Sequence, residues 1–317
     1  MKELHFTPTN GPVDDTIERL MDTAGGIQHR DIIREMILAS LKAGQEDDRK
    51  ADLKLMNTSL KEMRFTTKVF GPYRHIKKVT VFGSARIKPE EPLYAMARDL
   101  GRELVAANYM VITGGGPGIM QAVNEGAGPE FSFGINIRLP FEQKPNPVIE
   151  GNPRHIMYKY FFNRKVAFLK EAHAVALFPG GFGTLDEAME SLTLVQTGKR
   201  YSLPLILIDE PGGIYWSQCL EFFERELLKR RLISASDFNL IERVDSVSKA
   251  VERINHFYRR YNSLRYVNGR LVIRLNSPIE PRIVEDLRHQ FAGILKPGGK
   301  MVLSKALPEE RDEPEIA

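Results

Sequence analysis

From Lys78 onward the chain alternates two textures. Short unbroken apolar runs, such as Val79–Phe82, Tyr109–Thr113, Phe131–Ile137, Ala174–Phe178 and Leu205–Ile208, predict buried strands. Between them, apolar residues recur at helical spacing among charges, predicting helices over Leu93–Ala107, from about Ile119, Tyr158–Glu171, about Leu185–Thr197 and Tyr215–Lys229. Strands alternating with helices in this way predict an α/β fold: a Rossmann-like doubly wound parallel sheet with helices on both faces. In such sheets ligands bind outside the carboxyl ends of the strands.

The flanks read differently. Ile32–Leu41 and Leu53–Met63 are amphipathic, and Gly71-Pro72 ends the pattern, which predicts a helical N-terminal extension over 1–70. The expected main α/β domain is 71–262. Residues 263–317 form a small C-terminal α+β add-on, with a strand at Leu271–Leu275, a helix over Pro281–Ile294 and a strand at Lys300–Leu303. The acidic, proline-containing tail Pro308–Ala317 is expected to be mobile.

Composition narrows the class. Residues of the hydrophobic set make up 42% of the 317 residues and charged residues 27%, a globular balance. The lone cysteine, Cys219, excludes an internal disulfide and a cysteine-rich zinc site. The apolar runs fall short of the roughly 20 residues of a membrane helix. Met1–Asn10 holds no apolar signal core, so the expected location is cytoplasmic. The net charge of +4 is spread over short clusters such as Lys229–Arg231, which favours solvated helix faces or a small-anion site over nucleic acid.

Several motifs fail by counting. Gly114, Gly116 and Gly118 approach a dinucleotide fingerprint, but Ile119 stands where G-x-G-x-x-G needs its last glycine. Gly198-Lys199 lacks the rest of a triphosphate loop. The seven histidines make no H-E-x-x-H pair, and no G-x-S-x-G elbow occurs.

Two glycine turns remain, Gly114-Gly115-Gly116-Pro117-Gly118 and Pro179-Gly180-Gly181-Phe182-Gly183, each directly after a predicted strand and before a helix. Helix N-termini carry unpaired N–H groups and a positive dipole end, so two such turns on one sheet edge point to an anion pocket, and the missing dinucleotide fingerprint and triphosphate lysine argue for a monophosphate. Thr184-x-x-Glu187 also reads as a capping box, and that alternative stays open. Glu190 lies one turn after Glu187, whereas Asp186 points about 100° away. Arg164, among Phe161, Phe162 and Phe168, reads equally as a snorkelling charge.

G-G-G-P-G-I-M at 114–120, F-F-N-R-K at 161–165 and P-G-G-F-G-T-L-D-E at 179–187 together resemble the Lonely Guy family, long mislabelled as lysine decarboxylases. The resemblance covers roughly 78–230, and the text through Leu192–Lys199 looks like the bacterial branch. It implies hydrolysis of the N-glycosidic bond of a nucleoside 5′-monophosphate, AMP or an N6-substituted cytokinin-type nucleotide, to free base and ribose 5-phosphate. It implies Arg164 and Glu187 as catalytic residues. The implied nucleotide and phosphate contacts are Gly83, Ser84, Gly115, Gly116, Gly118, Met120, Gly180, Gly181, Gly183 and Thr184, with Glu190 added from its place one turn after Glu187. It implies no cofactor and no metal, and a homodimer; the scattered charge and short apolar runs argue against nucleic acid and membrane as partners.

The first turn is one residue shorter than the plant-type G-G-G-x-x-G-x-M, and the loop Pro140–Pro153 is long and proline-rich. Both bear on which base is preferred. The competing readings are a non-enzymatic nucleotide-binding or sensing protein on the same fold, a pyridoxal-dependent decarboxylase and an RNA-binding protein.

Overall fold

The structure, a computed structural model, describes residue 6 and residues 10–140 and 144–310. The chain divides into two compact units between Phe65 and Thr66. The first contains α1 (Pro12–Ala24), α2 (Arg30–Glu46) and most of α3 (Lys50–Phe70). Ile17 and Met21 of α1 meet Leu38 of α2 in a small core, with Arg34 and Asp14 paired at 2.6 Å. Helix α1 lies within the expected helical extension, although the apolar spacing singled out only the two segments that became α2 and α3.

The second unit is built on β1 (Lys78–Phe82), α4 (Pro92–Ala106), β2 (Met110–Thr113), α5 (Ile119–Ala127), β3 (Ser132–Ile137), β4 (His155–Tyr158), α6 (Phe161–Glu171), β5 (Ala174–Leu177), α7 (Phe182–Gln196), β6 (Leu205–Ile208), α8 (Tyr215–Phe222, continuing as a π-helical turn over Phe223–Leu228), β7 (Ile241–Val244) and α9 (Val247–Arg260). The seven strands pair in parallel in the order β4-β3-β2-β1-β5-β6-β7. This is the expected doubly wound α/β fold, with the order reversing between β1 and β5.

Strand alternation splits the apolar residues between two cores. Val79, Val81, Ala174, Ala176, Ile206 and Ile208 face α4, α5 and α9. Phe82, Val175, Leu177, Leu205 and Leu207 face the other side, with Phe133, Phe168 and Trp216. The central strands are buried on both faces, so the sheet edge at their carboxyl ends is held by a rigid platform.

Several local expectations are corrected. The aromatic run at Tyr158 divides: His155–Tyr158 is strand β4, and α6 begins at Phe161. Helix α7 begins at Phe182, not near Leu185. Strand β7 and helix α9 complete the sheet beyond the expected elements. After α9, β8 (Tyr261–Val267) and β9 (Arg270–Leu275) form an antiparallel hairpin, followed by α10 (Pro281–Gln290). Asn268 and Gly269, at φ 47° and 77°, make the turn. Lys300–Leu303 is not a strand, and β9 pairs with β8 instead. The expected mobile tail lies outside the described residues from position 311. No helix among the described residues is long and apolar enough to cross a membrane.

Candidate active site

The loops after β1, β2 and β5 meet where the strand order reverses. Ser84 N donates to Pro179 O at 3.1 Å, and Ile119 N donates to Ser84 O at 3.0 Å, so the Gly83-Ser84 turn ties the two glycine turns together. Gly118 takes φ 68°, and a Cβ there would stand 2.4 Å from Ser84 O. Only glycine satisfies both the backbone and the space. A Cβ at Gly180 would stand 2.1 Å from Thr184 Oγ1, and Tyr215 donates its hydroxyl to Gly180 O at 2.6 Å. A Cβ at Gly83 would stand 2.6 Å from the Ile119 side chain.

The glycines of the first turn are buried and wired from beneath. Gly115 N donates to Thr113 Oγ1, which in turn donates to Asn124 Oδ1 at 2.7 Å. Asn146 donates from its backbone N to Gly115 O at 2.8 Å and from Nδ2 to Gly116 O at 3.0 Å. The long loop thus fixes the turn's shape. Gly115, at φ 68°, also makes room for Asn136, whose Oδ1 would lie 2.1 Å from a Cβ there. That buried Oδ1 has no hydrogen-bond partner among the described residues.

The second turn is open. Gly181 and Gly183 are exposed, and nothing lies within 4 Å of a Cβ at either. Gly181 is the N-cap of α7, and no side chain caps the helix. The capping box Thr184-x-x-Glu187 therefore does not form. Starting the helix at Phe182 leaves its first-turn N–H groups free of side-chain caps and carries Glu187 into the second turn, facing inward.

Arg164 is no snorkelling surface charge. Its Nε donates to Ile135 O at 2.8 Å and its guanidinium stands 5.0 Å from the Phe168 ring centre. Its Nη2 would lie 2.7 Å from a Cβ at Gly114, where Met120 Sδ would lie 2.6 Å away. Arg164 and Met120 thus both flank the first glycine turn. Burial works against the arginine's charge, while Glu187 favours it.

Glu187 is 5% exposed. Its Oε1 lies 3.8 Å from Lys165 Nζ, and its Oε2 is buried with no hydrogen-bond partner among the described residues. Burial pushes the carboxyl up to about 7, against the pull of Lys165 and Arg164, and with help from Glu190 and Asp186. Lys165 Nζ contacts Asp186 Oδ2 and Glu190 Oε2, each at 2.8 Å. Asp186 therefore joins the cluster through Lys165, despite its different helix angle.

The family described as "Possible lysine decarboxylase" matches residues 110–254, from β2 to α9. Cytokinin riboside 5′-monophosphate phosphoribohydrolase LOG3 of Arabidopsis thaliana is 26% identical, over 57% of this chain and 83% of its own. The pyrimidine/purine nucleotide 5′-monophosphate nucleosidase of Escherichia coli strain K12 is 26% identical over 73% of this chain and 57% of its own. These matches support a Lonely Guy-like family for the segment from β2 to α9. Among solved structures, the molybdenum cofactor binding protein of Rippkaea orientalis is 21% identical over 57% of this chain and 96% of its own. Its TM-score is 0.40, too weak a likeness to decide anything.

The decarboxylase description would imply pyridoxal phosphate on a Schiff-base lysine. Lys165, the lysine beside Glu187, does not fit. Burial alone would lower its pKa, but the hydrogen bonds to Asp186 and Glu190 raise it and hold it as an ammonium.

Four site residues escaped sequence reasoning. Lys165 stood within a quoted motif without a role. Asn124, Asn136 and Asn146 had no distinguishing signal, because their meaning lies in which backbone groups they reach. A separate cavity of about 160 Å³ lies between α7 and the π-helical turn, walled by Met189, Leu192, Phe223, Leu227 and Ile241. It shares no residue with the site.

Proposed function

We propose that the chain hydrolyses the N-glycosidic bond of a nucleoside 5′-monophosphate, giving the free base and ribose 5-phosphate. The observation that carries this reading is the Glu187 carboxyl. It is buried, has one oxygen without a partner, sits in the second turn of a helix whose N-terminus is uncapped, and shares its site with Arg164. Such an oxygen serves a ligand, because leaving it unpaired costs free energy.

The phosphate sits at the open turn Gly180–Thr184, where helix N–H groups and the dipole favour an anion. The oxocarbenium-like transition state carries positive charge at the ribose C1′. The Glu187 carboxylate stabilises that charge and orients ribose hydroxyls, with Asn136 Oδ1 a second open acceptor beside the first turn. Arg164, fixed on Ile135 O, holds the nucleotide in register. Water then adds its hydroxyl to C1′, and its proton leaves with the base. Gly83, Ser84, Gly115, Gly116, Gly118 and Met120 shape the cradle, and Glu190 acts through Lys165.

AMP and N6-substituted nucleotides are the proposed substrates, in a cytoplasmic homodimer whose catalytic domain is 71–262. The test is incubation of the purified chain with 5′-AMP, its N6-isopentenyl analogue and adenosine, followed by chromatography. Base release from the nucleotides, none from adenosine, and loss of release in Glu187→Gln are expected. Binding of nucleotide without release of base would replace this reading with that of a sensor.

A further inference from the structure

We propose that Lys165 is a positioning residue: anchored by Asp186 and Glu190, its ammonium holds the Glu187 carboxyl in place and favours its ionised form. The inference rests on the reading of Glu187 as the catalytic carboxylate.

The geometry carries it. Asp186 and Glu190 are four residues apart on α7 and flank Glu187 in the sequence. Both contact one ammonium from α6 at 2.8 Å. The Lys165 side chain is 18% exposed and that of Glu190 30%, so this pair is more than a solvated surface contact, while Asp186, 61% exposed, is the solvated arm of the cluster. Its two short contacts fix the ammonium 3.8 Å from Glu187 Oε1, too far for a hydrogen bond but close enough for charge to act. Lys165 therefore works on Glu187 through position and charge, leaving both Glu187 oxygens to substrate.

The charges that act on Glu187 are Arg164 and Lys165 on α6 and Asp186 and Glu190 on α7, with Tyr158 of β4 acting on Arg164. The two cations cancel the two flanking carboxylates. Ionising Glu187 then brings the cluster to one net negative charge. Without Lys165, three carboxyl groups share Arg164 alone, and Glu187 keeps its proton to higher pH.

The test compares wild type with Lys165→Met, Lys165→Gln and Lys165→Arg. The pH profile of kcat/KM for 5′-AMP should show its acidic limb moved up by about one pH unit or more in the two neutral variants, as expected for removing an opposite charge within about 4–6 Å. Lys165→Arg should restore most of it. Activity lost with the limb unmoved would overturn the proposal, since a merely structural role lowers the rate without moving the profile. Carbon-13 titration of the Glu187 carboxyl, assigned by its disappearance in Glu187→Gln, reads the same displacement without turnover. If wild type cleaves no nucleotide, the functional reading fails, and this titration still decides Lys165: a displaced midpoint supports the role, and an unmoved one overturns it. The two neutral variants differ in shape, so folding of either suffices for the titration.

Discussion

Glu187→Gln should make the protein more stable while abolishing its chemistry. An unfolded glutamate ionises near 4.5, whereas the buried Glu187 carboxyl is pushed up to about 7. Between these values the folded chain holds a proton that the unfolded chain has released. Stability therefore falls as pH rises through this window, and the full penalty is present above it. At 1.36 kcal/mol per pH unit, the interval from 4.5 to about 7 corresponds to about 3 kcal/mol, an upper bound because a buried site relaxes and admits water. Glutamine keeps the shape and lacks the charge. The expected gain is about 1–3 kcal/mol at pH 8, shrinking toward zero near pH 4. Urea denaturation of both proteins at pH 4.5, 6 and 8, with m-values compared, measures it. A stability difference independent of pH, or a variant less stable at pH 8, would refute the assignment of a buried, high-pKa carboxyl.

Other predictions follow from the same geometry. Gly118→Ala forces a Cβ to 2.4 Å from Ser84 O at φ 68°, so melting should show a loss of several kcal/mol, on the order of a large core defect, and turnover should fall with it. Arg164→Lys removes the Nε that donates to Ile135 O; kcat/KM for 5′-AMP should drop by roughly 100-fold, with circular dichroism unchanged. Arg243→Met leaves Asp209, 0% exposed, without its 2.8 Å ion pair, and should cost roughly 3–5 kcal/mol in denaturation, partly recovered by adding Asp209→Asn.

The central sheet is legible because its strands are buried on both faces and so read as unbroken apolar runs, as in Val79–Phe82 and Leu205–Ile208. Edge strands lack that signature. β4 carries His155 and an exposed Met157, and β7 carries Glu242 and Arg243, because each has only one neighbour and a wetter environment. In the C-terminal add-on, Asn268-Gly269 was the available hairpin signal, and it decides which segment pairs with β9.

The site divides in the same way. The glycine turns, Arg164 and Glu187 were recognisable as motifs. The start of α7 was not, since Thr184 and Glu187 have the spacing of a cap whether or not they form one. Gly181 decides it by acting as N-cap itself, which turns Glu187 from a local cap into a buried, unpaired acid. The partners of Lys165 lie on another helix, and only the packing of α6 against α7 brings them together.

The measurement closest to the central claim is cleavage of 5′-AMP in water enriched with oxygen-18, with products weighed by mass spectrometry. The account predicts adenine and ribose 5-phosphate in equal amounts, the heavy oxygen at C1′ of the sugar, and no product from Glu187→Gln. Release of adenosine and inorganic phosphate, or equal turnover by Glu187→Gln, would contradict it.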